Sequence, residues 1–234
     1  MRTLLLSAGI GTRLKPLTDT KPKCLMPIKD QPLLDIWLER LTAFGLGPFL
    51  INTHYLSNQV YSYIDNSLYK KKVTISHEKK LLGTAGTVVE NIDFFQDEAG
   101  LIIHADNYCL ADFTAFVQAH NERPPYCLMT MMTFRTNSPS SSGIVELNDK
   151  GVLTGFHEKT SNPPGDLANA AVYIISNEML RLLTYEYNEA KDFSIDIIPF
   201  LLGKIYTYET KDFFIDIGTP EAYEKAMNRN VDNV

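Results

Sequence analysis

Residues 7–23 read SAGIGTRLKPLTDTKPK, in which Gly9 and Gly11 run directly into Thr12 and Arg13, and Lys23 follows after two prolines. Glycine lets backbone N–H groups approach a ligand closely, and a guanidinium offers a fork of donors, so these residue types in this order suit a phosphate-bearing ligand. Charge points the same way. Residues 1–29 hold six bases (Arg2, Arg13, Lys15, Lys21, Lys23, Lys29) against Asp19, whereas the rest of the chain holds sixteen bases against twenty-seven acids. Asp106 in LIIHAD and Asp216 in FFIDI each close an apolar run. Neighbouring strand ends could bring two such acids together, and each could equally be a turn or helix cap.

The glycine segment fails two familiar phosphate signatures. It lacks GxxxxGK[ST], and Gly9-Ile10-Gly11 continues as Thr12-Arg13-Leu14, without the third glycine of G-x-G-x-x-G. Taken alone, the turn is either a phosphate cradle or a tight strand-to-helix connection carrying solvated bases. A simple dinucleotide-dependent oxidoreductase is therefore the weaker reading.

The chain as a whole excludes several classes. Its 234 residues carry a formal charge of −6 with 44% hydrophobic residues, a balance that argues against an extended nucleic-acid surface. Cys24, Cys109 and Cys127 are odd in number and lack CxxC spacing, which fits reduced cytosolic thiols and neither a disulfide framework nor a zinc site. The opening apolar run is only Leu4–Leu6, too short for a secretory signal, and no stretch is long enough to span a bilayer. A cytoplasmic protein with no membrane or nucleic-acid partner is expected. His54, His77, His104, His120 and His157 show no metal-ligand spacing.

The elements that must position these residues alternate. RTLLLS, PFLINT, KVTISH and GLIIHAD read as strands. Between them PLLDIWLERLTAF reads as a helix with Gly45 behind it, SNQVYSYI as a helix capped by Ser57, and 84–92 as a helix after a Gly-rich turn. Strands alternating with helices predict βαβ crossovers and a largely parallel sheet. After YCLMTMMTF the pattern changes. GIVEL and VLTGFHEK flank NDKG as a hairpin, SNPPGD is a covering loop, FSIDIIPFLL reads as a helix, and KIYTYE and FFIDI as strands. A closing helix starts at Thr219 and Pro220. One domain is expected, with strand–helix alternation in 1–134 and the later hairpin region in 135–234 forming a β-rich lobe over the sheet.

The segment LLLSAGIGTRLKPLTDTKPKCLMP resembles the signature of the sugar-1-phosphate nucleotidyltransferases, and the resemblance continues through EKKLLGTAG, HAD, FHEK, NAAVY and FIDIGTPE. It implies an α/β, Rossmann-like, mixed and mainly parallel sheet flanked by helices with a small β-rich sugar-binding lobe, in a single catalytic domain whose residues 1–134 are mainly the nucleotide-binding part and 135–234 mainly the sugar-phosphate-binding part. It also implies joining of a sugar 1-phosphate to a nucleoside triphosphate, with release of pyrophosphate, in nucleotide-sugar and polysaccharide biosynthesis.

By this resemblance Ala8, Gly9 and Gly11 give backbone access to the nucleotide. Thr12 and Arg13 meet the β- and γ-phosphates, and Lys23 reaches the α-phosphate. Asp106 and Asp216 hold Mg²⁺, so Arg13, Lys23 and Asp106 are the catalytic set. Gly83 and Thr84 form the base-recognition turn, where Leu81 stands in place of a common proline, and Glu78 meets ribose or base. Gly143, Glu158, Lys159 and Asn169 hold the sugar and its phosphate. Ser7-Ala8-Gly9, Ala105 and Ala171 stand where the family often has glycine.

INTHYLSNQV, LLGTAG and FIDIGTPEAY look closer to guanylyltransferases acting on mannose 1-phosphate or a manno-configured heptose 1-phosphate, so GTP is the favoured nucleotide. Uridylyltransferases acting on N-acetylmuramic acid 1-phosphate or another hexose 1-phosphate are the alternative. A non-catalytic nucleotide-sugar-binding regulator is the alternative of another class. No hexapeptide repeat follows FIDIGTPE, so no appended β-helix is expected, and the assembly is a monomer or homodimer.

Overall fold

The computed structural model describes residues 1–229. They form two compact units, each assembled from separated stretches: residues 1–4, 82–103 and 111–211 in the first, and residues 5–81, 104–110 and the described part of 212–234 in the second. The chain thus passes between the units at several points.

In the first unit the strand Leu167–Ile175 is the organiser. It pairs antiparallel with Gly100–His104, Met129–Arg135 and Gly143–Leu147. Gly143–Leu147 pairs antiparallel with Leu153–Glu158, closing the expected hairpin through Asn148 and Val152. Ile205–Glu209 lies parallel to Met129–Arg135. The pleat turns Leu101, Ile102, Ile103, Val172, Tyr173 and Ile174 into a dry interior, where each buried aliphatic or aromatic side chain contributes about 1.5–3 kcal/mol. The helices Gly83–Glu90, Phe113–Glu122 and Asn177–Tyr185 cover it. Asp112 caps the second of these by accepting from Thr114 N and Ala115 N, and Ser176 caps the third through Met179 N.

The second unit holds the parallel pair Phe49–Thr53 and Val73–His77, crossed over by the helix Ser57–Asp65. The helix Leu33–Ala43 buries Leu34, Trp37, Leu38 and Leu41 on one face, and Gly45 at φ +70° turns the chain away behind it. Two short strands, Asn107–Cys109 and Phe214–Asp216, pair antiparallel with Asp216 opposite Asn107. Thr219 caps the closing helix Pro220–Met227 through Ala222 N. A mixed sheet flanked by helices is thus the observed architecture, as expected.

Three local expectations need correction. FSIDIIPFLL is no regular α-helix: Phe193–Ile197 is a wide π-type turn and Ile198–Leu201 a 3₁₀ turn. Pro199 has no N–H to donate and crowds the preceding turn, so the α ladder cannot run through it. The helix at 57 is preceded by Leu56 at φ +49°, which makes Ser57 its first helical residue instead of its cap. The glycine segment does not lead into an α-helix either. Three 3₁₀ turns follow it, Thr12–Leu14, Leu17–Asp19 and Lys23–Leu25, interrupted by Pro16 and Pro22.

Candidate active site

The phosphate-type residues gather in the second unit. Because 3₁₀ turns replace a helix behind the glycines, no aligned helix dipole supplies the positive field there, and side chains must do so. Gly11 adopts φ +70°, and a Cβ at this position would stand 3.0 Å from Thr18 Cγ2 and 3.4 Å from Lys23 Cβ. Thr18 is fully buried and donates its hydroxyl to Gly11 O at 2.8 Å. Glycine here therefore sets both the left-handed turn and the close passage of the loop over Lys23.

Lys23 is the centre of the cluster. It is buried at the start of its 3₁₀ turn beside Cys24 and Leu25, and its Nζ donates to Asp106 Oδ2 at 2.7 Å and to Asp216 Oδ1 at 3.0 Å. Arg13 NH2 reaches Asp216 Oδ2 at 3.3 Å. Asp106 sits in the turn between Gly100–His104 and Asn107–Cys109, and Asp216 ends the strand paired to the latter, with Ile217 N donating to Asp106 O at 3.3 Å. Two acids some hundred positions apart in sequence thus meet at one ammonium. Asp106 is 38% and Asp216 45% exposed at the side chain, so both carboxylates keep an open side.

The electrostatics follow. Burial works against the Lys23 ammonium, but Asp106 and Asp216 outweigh it and leave the Lys23 pKa raised above its ordinary value. Burial likewise works against the Asp106 carboxylate, and Lys23, with a further contribution from His104, outweighs it and holds that pKa below the usual carboxylate range. Cys24 beside them is a different case: burial pushes its thiol up to about 12, so it is protonated at neutral pH and is no nucleophile.

The chemistry of the two carboxylates suits a divalent ion. Both are hard oxygen donors, both reach one cationic nitrogen, and both have solvent-facing surface left. That donor set fits Mg²⁺, which takes one or two protein carboxylates and fills the rest of its shell with phosphate oxygens and water.

Gly218 was not singled out in the sequence, although it lies inside FIDIGTPE. A Cβ there would stand 2.7 Å from Arg13 NH2 and 2.9 Å from Asp216 Oδ1. Asn52 was also missed. Nothing in the strand FLINT marks it, yet it is 3% exposed and bonds to both Ser7 and Glu78. Glu78, expected to meet ribose or base, is itself 4% exposed, with Oε1 accepting from Asn52 Nδ2 at 2.8 Å.

The remaining predicted residues lie in the first unit. Gly83 begins its helix at φ +80°, and a Cβ on it would collide with Lys191 O at 2.3 Å. Thr84 Oγ1 accepts from Phe193 N at 2.8 Å, so this turn is fixed against 191–193. Gly143 lies opposite Glu158 in the hairpin, and a Cβ on it would fall 2.7 Å from both Glu158 Oε2 and the Phe156 ring. Lys159 Nζ pairs with Glu158 Oε1 at 3.1 Å. Asn169 Nδ2 donates to Tyr173 Oη at 2.7 Å, and its Oδ1 accepts from Ala171 N where the strand register shifts. Ala8 is buried, while Gly9, Thr12 and Arg13 line the outer side of the turn at greater exposure.

Known proteins share this arrangement of chain. D-glycero-alpha-D-manno-heptose 1-phosphate guanylyltransferase from Campylobacter jejuni is 26% identical over 231 residues, covering 98% of this chain and 100% of that protein. UTP--glucose-1-phosphate uridylyltransferase from Synechocystis is 27% identical over 255 residues, covering 100% of this chain and 65% of that protein. The chain spans about three fifths of the length of several curated relatives it matches. The solved structure of HddC from Yersinia pseudotuberculosis complexed with GMP-PN superposes with a TM-score of 0.82 at 23% identity, over 97% of both chains, which establishes the shared fold. No helix among the described residues is long and apolar enough to cross a membrane. The model of the family described as nucleotidyl transferase matches residues 2–233, and the chain belongs to that family.

Proposed function

We propose that the protein is a Mg²⁺-dependent sugar-1-phosphate nucleotidyltransferase, with GTP as its nucleotide and a manno-configured hexose or heptose 1-phosphate as acceptor. The observation that carries this reading is the meeting of Lys23 with Asp106 and Asp216, with Arg13 on the outer carboxylate oxygen. The guanylyl preference rests on the resemblance of INTHYLSNQV and FIDIGTPEAY and on the manno-heptose relative that is matched along its whole length. The uridylyl relative keeps UTP with a hexose 1-phosphate, including N-acetylmuramic acid 1-phosphate, as the second reading.

In this account an oxygen of the sugar phosphate bonds to the α-phosphorus while the bond from that phosphorus to the bridging oxygen breaks. The electron pair leaves with pyrophosphate. The attacking oxygen is already an anion, so no general base is required, which agrees with the protonated Cys24 and with the reaction needing no covalent enzyme intermediate. Catalysis is then positioning and charge neutralisation. Lys23 turns from the carboxylates to the α-phosphate as negative charge accumulates there, and Arg13 and Thr12 hold the outgoing phosphates. Asp106 and Asp216 would hold the ion, which would supply charge neutralisation at phosphate oxygens. By the resemblance, Lys159 takes the sugar phosphate as a point charge, Asn169, Glu158 and Gly143 take the sugar, and Gly83 and Thr84 take the base.

The test is pyrophosphate release over a grid of nucleoside triphosphates and sugar 1-phosphates in the presence of Mg²⁺. Release that is fastest with GTP and mannose 1-phosphate or a manno-heptose 1-phosphate supports the proposal. Release only with UTP moves it to the second reading, and silence over the whole grid from folded protein refutes it.

A further inference from the structure

Ser7 stands at the point where the first strand becomes the glycine loop, and it is held on two sides. Its backbone N donates to Asn52 Oδ1 at 2.7 Å, and its Oγ donates to Asn52 O at 2.5 Å. The Cys24 thiol lies beside this side chain, and Cys24 adjoins Lys23 in sequence. Asn52 in turn donates its Nδ2 to Glu78 Oε1 at 2.8 Å, while Glu78 N donates to Thr53 O at 2.8 Å and Glu78 O lies 2.8 Å from His54 Nδ1. The whole chain of contacts, from Glu78 through Asn52 and Ser7 to the neighbour of Lys23, lies in the second unit.

Asn52 is suited to this place in a way few side chains are. A buried amide offers an acceptor and a donor from one rigid plane, and here the acceptor meets a backbone N–H and the donor a carboxylate. The bond to a carboxylate is charge-assisted and strong in a dry environment. The neighbouring strand residues Leu50 and Ile51 are apolar and buried, so a side chain there without these functions would take a hydrogen-bond partner from both the Ser7 N–H and the Glu78 carboxylate.

We propose that Asn52 is a positioning residue for nucleotide binding: it fixes the first residue of the glycine loop relative to Lys23, and Glu78 acts by orienting Asn52. The proposal rests on the nucleotidyltransferase reading. Asn52 touches neither phosphate nor sugar; it acts through Ser7. Its loss therefore loosens the loop that receives the triphosphate and leaves the sugar phosphate's own contacts in the first unit intact.

A pair of substitutions isolates the contact. Asn52→Asp keeps an acceptor for Ser7 N but sets a second carboxylate against Glu78. Adding Glu78→Gln reverses donor and acceptor, so that the new amide can donate to the new carboxylate with the total charge unchanged. KM for the nucleotide, KM for the sugar 1-phosphate, kcat and thermal midpoint are measured for each protein. The expected result is a nucleotide KM raised at least tenfold in Asn52→Asp, a sugar-phosphate KM within twofold of the wild type, and a nucleotide KM returned to within about threefold in Asn52→Asp/Glu78→Gln. The proposal is overturned if Asn52→Asp lowers the midpoint while leaving the nucleotide KM unchanged, which is a purely structural role, or if the paired substitution shows no rescue. Should Asn52→Asp fail to fold, Asn52→Ala replaces it. That variant deletes the amide without adding a charge and keeps the Ser7 hydroxyl contact to the backbone carbonyl of residue 52, and an unchanged nucleotide KM in it equally overturns the proposal. Absence of turnover in the wild type is a separate outcome that strikes the nucleotidyltransferase reading instead.

Discussion

The Lys23 ammonium lies 2.7 Å from Asp106 Oδ2 and spans to Asp216 at 3.0 Å, so one buried base is shared by both of the carboxylates proposed to hold the metal. Under the proposed mechanism, lysine and metal would compete for the same oxygens until a triphosphate draws the ammonium away.

Replacing Lys23 by methionine keeps the stem and removes the charge. Turnover should fall about 10²–10³-fold, the usual loss when a preorganised charge stabiliser is deleted. The cost in stability should be about 1 kcal/mol, below that of breaking a fully buried pair, because both acids are partly solvated. In nucleotide-free protein the same variant should bind Mn²⁺ more tightly than the wild type, read by electron paramagnetic resonance titration. Weaker binding would contradict the competition.

Gly218→Ala addresses Arg13. The new Cβ would fall 2.7 Å from the guanidinium nitrogen and 2.9 Å from Asp216 Oδ1. The guanidinium is the flexible end of an exposed side chain, so it should move aside and leave the fold intact. Denaturant unfolding should change by less than about 0.5 kcal/mol, whereas kcat/KM should drop roughly tenfold, equivalent to ~1.4 kcal/mol of lost transition-state stabilisation.

His120 gives the protein an acid-side stability slope away from the candidate site. Its ring is buried, with Nδ1 2.9 Å from Thr130 Oγ1, and burial together with Arg123 pushes its pKa from 6.5 down to about 4. Above pH 6.5 the imidazole is neutral in both folded and unfolded chains. As the pH falls from 6.5 towards 4, the unfolded chain takes up a proton that the folded one refuses, so stability is lost across that window. The loss should be about 2–3 kcal/mol. A His120→Gln variant should lack that slope when denaturant midpoints are compared at pH 7 and pH 4.5.

Ala171 occupies φ +52° within the register shift of Leu167–Ile175. A left-handed alanine costs about 1–2 kcal/mol, and glycine gives back about 0.4–1 kcal/mol through the greater freedom of its unfolded chain. Ala171→Gly should therefore raise stability by roughly 0.5 kcal/mol, measured by urea unfolding.

Much of the fold was legible because its signals are local. The apolar face of Leu33, Trp37 and Leu41 marks a helix, and Thr219-Pro220 marks a helix start at the level of single residues. The cluster was legible for another reason: the chemistry of Gly11, Arg13, Lys23, Asp106 and Asp216 left a cap or a solvated turn open at each, and the resemblance of the segments around them singled these residues out. What escaped depends on contacts made at a distance or on backbone angles the residue type conceals. Asn52 looks like any polar residue in a strand until Ser7 and Glu78 are seen on either side. Leu56 and Ala171 both take positive φ, which neither side chain advertises. FSIDIIPFLL has helical periodicity up to Pro199, and only the geometry shows that the chain opens into a π-type turn before it.

The central claim is that a sugar phosphate oxygen attacks the α-phosphorus of a nucleoside triphosphate held at Lys23. Phosphorus-31 NMR of one mixture of protein, Mg²⁺, GTP and mannose 1-phosphate, repeated over the other pairs of the grid, tests it in a single spectrum. The account predicts equal growth of pyrophosphate and of the paired resonances of a diphosphate-linked nucleotide sugar, both abolished by Asp216→Asn. Growth of nucleoside diphosphate with inorganic phosphate, or no change for any pair, would contradict it.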